Sequence, residues 1–263
     1  MKLKLFYLLA CLFVMNTTDV MAWGTTGHRV VAEVAEQNLS KKAKKSISKI
    51  IGNQKLAYWA NWPDFVKSDA KFKMNDGWHY VNIEPAADKA TCLASLELTP
   101  EENLYKKLQF LVGELKNNNN LTEETKQQYL YYIIHMVGDA HQPMHVGRAG
   151  DLGGNKVTVE WFGERTNIHT LWDSKLVDFE KYSYTEYANV LNIIDKDAKS
   201  KIQAGTLGDW LYESHVIANG IYAEAEKNTK LKYEYQYLNK EVVENQMLKG
   251  GLRLARILNE IFS

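Results

Sequence analysis

Two short stretches of the sequence pair a histidine with an aspartate four residues on: His135 with Asp139 in YLYYIIHMVGDAH, and His169 with Asp173 in NIHTLWD. On a helix, side chains four apart stack on one face, so each pair can grip a single cation. The apolar neighbours of His135 leave little room for a solvated face. A buried carboxylate is costly unless it is paired or metal-bound. His145 follows Pro143, where the chain has left the helix and can turn back toward its end. Imidazoles and carboxylates without a thiolate suit Zn²⁺, with Mn²⁺ or Fe²⁺ as alternatives. These donors exceed what one tetrahedral ion needs. They point to a cluster, in which closely spaced ions can clamp both ends of a phosphoryl displacement.

The elements that must carry these residues are mainly helical. HRVVAEVAEQNL (28–39) and ENLYKKLQFLVGELK (102–116) have apolar residues at helical period, the second behind a Thr99-Pro100 start. TEETKQQYLYYIIHMVGDAHQ (122–142) opens on Thr122, a good N-cap, and stops before Pro143. Residues 207–227 and 241–262 are two further amphipathic stretches. Only GGNKVTVEWFG (153–163) alternates apolar with polar residues beyond a glycine turn, which predicts a short strand or hairpin. With no domain-sized repeat and no Pro/Ser-rich linker, residues 23–263 read as one mostly all-α domain with a small β-hairpin.

Residues 1–22 read as a cleavable signal peptide. Lys2 and Lys4 precede the apolar run Leu5 to Met15, and Val20-Met21-Ala22 places small residues at −3 and −1. The run is about 11 residues, short of the ~20 that span a bilayer. Export to the periplasm or the medium, with no stable membrane association, is the expectation. Cleavage after Ala22 would give Trp23 a free α-amino group, a nitrogen ligand that internal residues lack. The full chain has 32 basic and 32 acidic residues, and loss of Lys2, Lys4 and Asp19 leaves the remainder one acidic residue in excess. A nucleic-acid binder that works through a basic surface would show the opposite balance. Cys11 departs with the leader, so Cys92 has no intramolecular partner and core packing must hold the fold.

The array resembles the zinc-dependent single-strand nucleases of the S1/P1 type, helical enzymes of the phospholipase C/nuclease P1 fold that carry three zinc ions. The resemblance runs from Trp23 through the last ligand pair. Trp23 matches the family's N-terminal tryptophan, and His28 its next ligand five residues on. Asp64 in NWPDFVK and His79 in GWHYVN match the following pair. His135, Asp139 and His145 reproduce H-x3-D-x5-H, and His169 with Asp173 reproduces H-x3-D. The resemblance implies one zinc on Asp64, His79, His135 and Asp139. It implies a second on Trp23, His28 and Asp139, and a third on His145, His169 and Asp173. Six positive charges against three aspartates would then attract the phosphodiester that the side-chain balance does not. An α-amino group must lose its proton to bind, so the ion at Trp23 is expected to be the most acid-labile.

The activity so implied is in-line hydrolysis at phosphorus with 5′-phosphorylated products, on single-stranded DNA, RNA and nucleotides, by a monomer. Asp64 would orient or deprotonate the attacking water as well as bind metal. Tyr80 would stack a base, and Asn82 would meet the base edge, where relatives often carry Asp. Lys67 would meet a phosphate oxygen, and Asn155 in DLGGN falls where relatives place an amide near the scissile phosphate. A base must leave its duplex to stack on Tyr80, which accounts for a single-strand preference. His141 and His215 match no ligand position and are read as structural. Zinc-dependent phospholipases C share the three-metal logic. In them, however, the second ligand lies farther from the tryptophan, the last histidine follows sooner, and the final ligand is Glu. A non-enzymatic zinc-binding protein would tend to close its coordination spheres, and the third site has only three protein ligands.

Overall fold

The computed structural model describes residues 23–262 apart from 86, 100 and 101; the expected signal peptide lies outside the described residues. The main helices are α1 (Thr25–Gln37), α2 (Lys41–Ile51), α3 (Leu104–Asn117) and α4 (Glu123–Ala140). Beyond them a hairpin, β1 (Thr158–Trp161) and β2 (Glu164–Asn167), leads into α5, residues 168–179. Then come α6 (Tyr184–Leu191), α7 (Leu207–Lys227), β3 (Lys230–Leu231) and α8 (Tyr233–Phe262).

α4 is the axis of the molecule. Thr122 caps it, its hydroxyl accepting from the Thr125 N–H at 3.1 Å, and Glu123 and Glu124 sit in the first turn where the helix dipole favours acid. From Leu130 to Ala140 every residue is buried, so the C-terminal half is surrounded rather than one-sided. α3, the C-terminal α8 and the short helix Trp62–Phe65 pack on it. α1 lies along α8, and the approach is close. A Cβ on Gly251 would fall 2.5 Å from the Cβ of Val34, a separation that real side chains do not reach. Lys89–Leu98 packs on α7, and Lys196–Gln203 on α8.

The hairpin is closed by Phe162 and Gly163, both at positive φ (51° and 87°), the handedness that two-residue hairpin turns need. β3 joins the other edge of β1, parallel to it, with Glu160 opposite Lys230 and Trp161 opposite Leu231. The mostly helical fold is therefore as expected, and the small β element is a three-stranded sheet rather than a hairpin alone. Among the described residues no helix is long and apolar enough to cross a membrane. Cys92 is buried and free, and burial pushes its thiol up to about 11, which leaves it inert.

Candidate metal centre

Six elements deliver the histidines and aspartates to one buried place. α1 brings His28 from its first turn, and α4 brings His135 and Asp139 from its last two. The Trp62–Phe65 turn brings Asp64, and a 3₁₀ turn, Lys73–His79, ends on His79. α4 stops at Ala140, and Pro143 opens a 3₁₀ turn, Pro143–Val146, that carries His145 back toward the helix end. His169 and Asp173 sit on α5, where Leu171–Lys175 is a π-turn, a distortion often found at functional sites. All eight side chains are buried.

The innermost donors form a compact set. His79 Nδ1 lies 3.0 Å from His135 Nε2 and 3.1 Å from Asp139 Oδ2; His135 Nε2 lies 3.4 Å from Asp139 Oδ2. Asp64 Oδ1 is 3.7 Å from His135 Nε2 and 4.0 Å from His79 Nδ1. Ligand atoms at zinc distances on a tetrahedron stand about 3.3 Å apart, and the Asp64, His79 and His135 donors are close enough together for one ion, with Asp139 Oδ2 beside the two rings. Asp139 faces two ways, because its other oxygen, Oδ1, is 3.4 Å from His28 Nε2. Farther along, His169 Nε2 is 3.1 Å from Asp173 Oδ2, and His145 Nε2 is 3.8 Å from Asp173 Oδ1. Three buried groups thus have geometry that could hold metal ions: His28 with His135 and Asp139, Asp64 with His79 and His135, and His145 with His169 and Asp173.

Hydrogen bonds behind the rings set their tautomers. His135 donates Nδ1–H to Ala60 O (2.7 Å), His145 to His79 O (2.6 Å) and His169 to Gly153 O (2.7 Å). With Nδ1 committed to a carbonyl, each ring turns its Nε2 inward, as metal-ligating histidines are held. Buried polar atoms with no hydrogen-bond partner among the described residues are concentrated here: both nitrogens of His28, Asp64 Oδ2, Asp139 Oδ1 and His145 Nε2. Interiors rarely leave such atoms unpaired, and cations would satisfy them. The electrostatics agree. Burial holds His28, His79, His135 and His145 below the ordinary imidazole range, reinforced at His28, His79 and His145 by neighbouring histidines, so the rings are neutral. Burial, with Asp64 and Asp173 nearby, pushes Asp139 well above the carboxylate range. Asp173 is raised to about 6 by burial, against the opposing pull of His169 and Gln142.

Close packing makes room for the cluster. A Cβ on Gly138 would lie 2.6 Å from His28 Nδ1, so this glycine lets the His28 ring cross α4 and stack on His135 at 3.8 Å. Trp23 is fully buried with its side chain against Gly27 and Gly138, and the Gly24 N–H donates to Asp173 O at 2.7 Å. The start of the described chain is thereby held between the two ends of the cluster.

The remaining candidates fall differently. Residues 80–83 are extended, with the Val81 and Ile83 N–H groups donating to His145 O and Gly147 O. Val81 and Ile83 are buried, and Tyr80 and Asn82 both face solvent, immediately after His79. Lys67 is at the cluster, its ammonium 2.7 Å from Asp64 Oδ1. Asn155 donates its amide to Leu152 O within the turn whose Gly153 carbonyl receives His169, so its visible contact shapes that turn. His141 is buried between Val137 O and Arg253 and lowered to about 3 by burial, and His215 lies between Val146 O and Asn219; neither joins the cluster. Gln142 carries no mark in the sequence, where residues 141–146 read HQPMHV, yet it is buried against Asp173.

A sequence-family profile described as S1/P1 Nuclease matches residues 23–263. The chain belongs to the S1/P1 nuclease family. It is 27% identical to Endonuclease 4 of Arabidopsis thaliana, over 92% of this chain and 90% of that protein. It is 25% identical to Nuclease P1 of Penicillium citrinum (91% and 97% covered) and 23% identical to Nuclease S1 of Aspergillus oryzae (92% of each). As an S1/P1 family member it is a hydrolytic endonuclease.

Proposed function

We propose that the chain is an exported enzyme, matured by cleavage after Ala22, that hydrolyses single-stranded DNA and RNA to 5′-phosphorylated products and also acts as a 3′-nucleotidase. It works as a monomer with three zinc ions. The observation that carries this reading is the two-faced Asp139, with one oxygen in the His79–His135–Asp64 set and the other toward His28.

Asp64, His79, His135 and Asp139 would hold one ion, and Trp23, His28 and Asp139 the second. His145, His169 and Asp173 would hold the third, with room left for substrate. Bound there, the ions supply Lewis acidity, an acidified water and charge for the departing 3′ oxygen. The protein's own groups do the rest. Asp64 Oδ2, buried and without a hydrogen-bond partner among the described residues, orients the attacking water and takes its proton. Lys67 offers its ammonium to a phosphate oxygen at the rim. Tyr80 stacks a base, and Asn82, on the same exposed face, meets its edge. Asn155 supports the turn that holds His169. Only a base out of its duplex can stack on Tyr80, and so single strands are preferred.

Protein beginning at Trp23 would be given single-stranded DNA and phosphatidylcholine side by side, with and without chelator. Chelator-sensitive release of 5′-nucleotides with intact lipid is the expected result. Lipid cleavage with intact DNA would overturn the reading.

A further inference from the structure

Gln142 is fully buried at the junction of α4 and the Pro143–Val146 turn. Its backbone N–H donates to Asp139 O and its carbonyl accepts from the His145 N–H, both at 3.0 Å. Its side-chain oxygen accepts from the Met144 N–H, and its side-chain nitrogen donates to Asp173 Oδ1. One residue thereby binds the segments carrying Asp139, His145 and Asp173, which arrive from the end of a helix, a 3₁₀ turn and a π-turn.

We infer that Gln142 is a positioning residue for the His145–His169–Asp173 site: by engaging Asp173 Oδ1 and the Met144 N–H together, it fixes the carboxylate and the His145 turn in one arrangement. The inference rests on the proposal that these three residues hold an ion. With Oδ1 engaged, Asp173 presents Oδ2 beside His169 Nε2, 3.1 Å away. The amide is the side chain suited to this place. An apolar group of equal length would strand the Met144 N–H and free the carboxylate to rotate. A glutamate would set a second buried anion against Asp173.

The test uses the full mature enzyme, wild type beside Gln142→Met, with His169→Ala as the scale for losing a direct ligand. Each protein is stripped with chelator and titrated with zinc. Bound metal is counted at fixed free zinc, and circular dichroism and the metal-free Tm serve as fold controls. Wild type is expected to take up three ions. Gln142→Met is expected to keep two at wild-type affinity and bind the third at least tenfold more weakly, with an unchanged metal-free spectrum. Three wild-type affinities in Gln142→Met would overturn the inference. So would equal weakening at every site, or a collapsed metal-free fold, since either marks a merely structural residue. A wild-type enzyme that never exceeds two ions would instead sink the three-ion reading itself, and this inference with it.

Discussion

Asp173→Asn is expected to stabilise the metal-free protein while disabling it as a metalloenzyme. Burial raises the Asp173 carboxyl from its ordinary 3.8 to about 6. A carboxyl raised on folding adds stability only while it is protonated. That contribution is whole below about pH 4, and it is lost as the pH climbs through the folded value near 6. The shift of about two units is worth about 3 kcal/mol at neutral pH. An asparagine avoids that loss and suits both neighbours. Its oxygen can accept from Gln142, and its amide would face His169 Nε2, which lies 3.1 Å from the present Oδ2. For a domain of this size, about 3 kcal/mol corresponds to roughly 6–12 °C in Tm. The assay is thermal unfolding of both proteins under chelator at pH 7.5, 6 and 4. The variant should lead at pH 7.5, keep part of the lead at pH 6 and lose it by pH 4. With excess zinc the order at pH 7.5 should narrow or invert, because only wild type gains the third binding energy. A metal-free variant no more stable than wild type at pH 7.5, or one whose advantage persists undiminished at pH 4, would refute this account of the carboxylate.

Gly138→Ala puts a methyl 2.6 Å from His28 Nδ1, and the ring cannot retreat because it is stacked on His135. Metal analysis should find the ion at His28 bound at least tenfold more weakly, with a stability cost of about 1–3 kcal/mol by denaturant unfolding. Tyr80→Ala should leave zinc content unchanged. It should cost about 1–3 kcal/mol of base stacking, a roughly 5- to 150-fold rise in KM on short single strands. A single glycine added ahead of Trp23 converts the α-amino group to a peptide nitrogen, and zinc content should fall from three to two. In the unextended protein, zinc counted against falling pH should show the ion at Trp23 leaving first.

α4, which carries His135 and Asp139, is legible because its ends are marked. Thr122 caps α4 and Pro143 prevents its continuation, so the placement of His135, Asp139 and His145 follows from the sequence itself. The predicted helix at 207–227 is found with those bounds. α8 begins eight residues before the predicted start, at Tyr233, because exposed Tyr237 and Leu238 blur its apolar stripe. α2 stands out little in the sequence, since its lysines outnumber the few buried positions, Ala43, Ile47, Ile50 and Ile51. β3 is two residues long and paired in parallel with a strand about seventy residues earlier, a contact that no local period announces. At the site, His135, Asp139, His145, His169 and Asp173 were readable from type and spacing, whereas His28, Asp64 and His79 stood out only through the family resemblance. The amide of Gln142 was not readable, because a lone glutamine acquires meaning only when the chain brings Asp173 to it.

Residues 80–83 have a thermodynamic consequence. This short extended segment follows directly on His79, with Tyr80 and Asn82 on its open face and two backbone bonds to residues 145–147 at its back. Were a nucleotide to order Tyr80 and an ion to sit at His145, as proposed above, these two bonds would join the two sites with no moving domain between them. Linkage makes the effect reciprocal: the factor by which zinc at His145 tightens nucleotide binding equals the factor by which the nucleotide tightens zinc. An enzyme wired in this way would hold its metal most firmly while substrate is present, and would be most easily stripped when it stands idle.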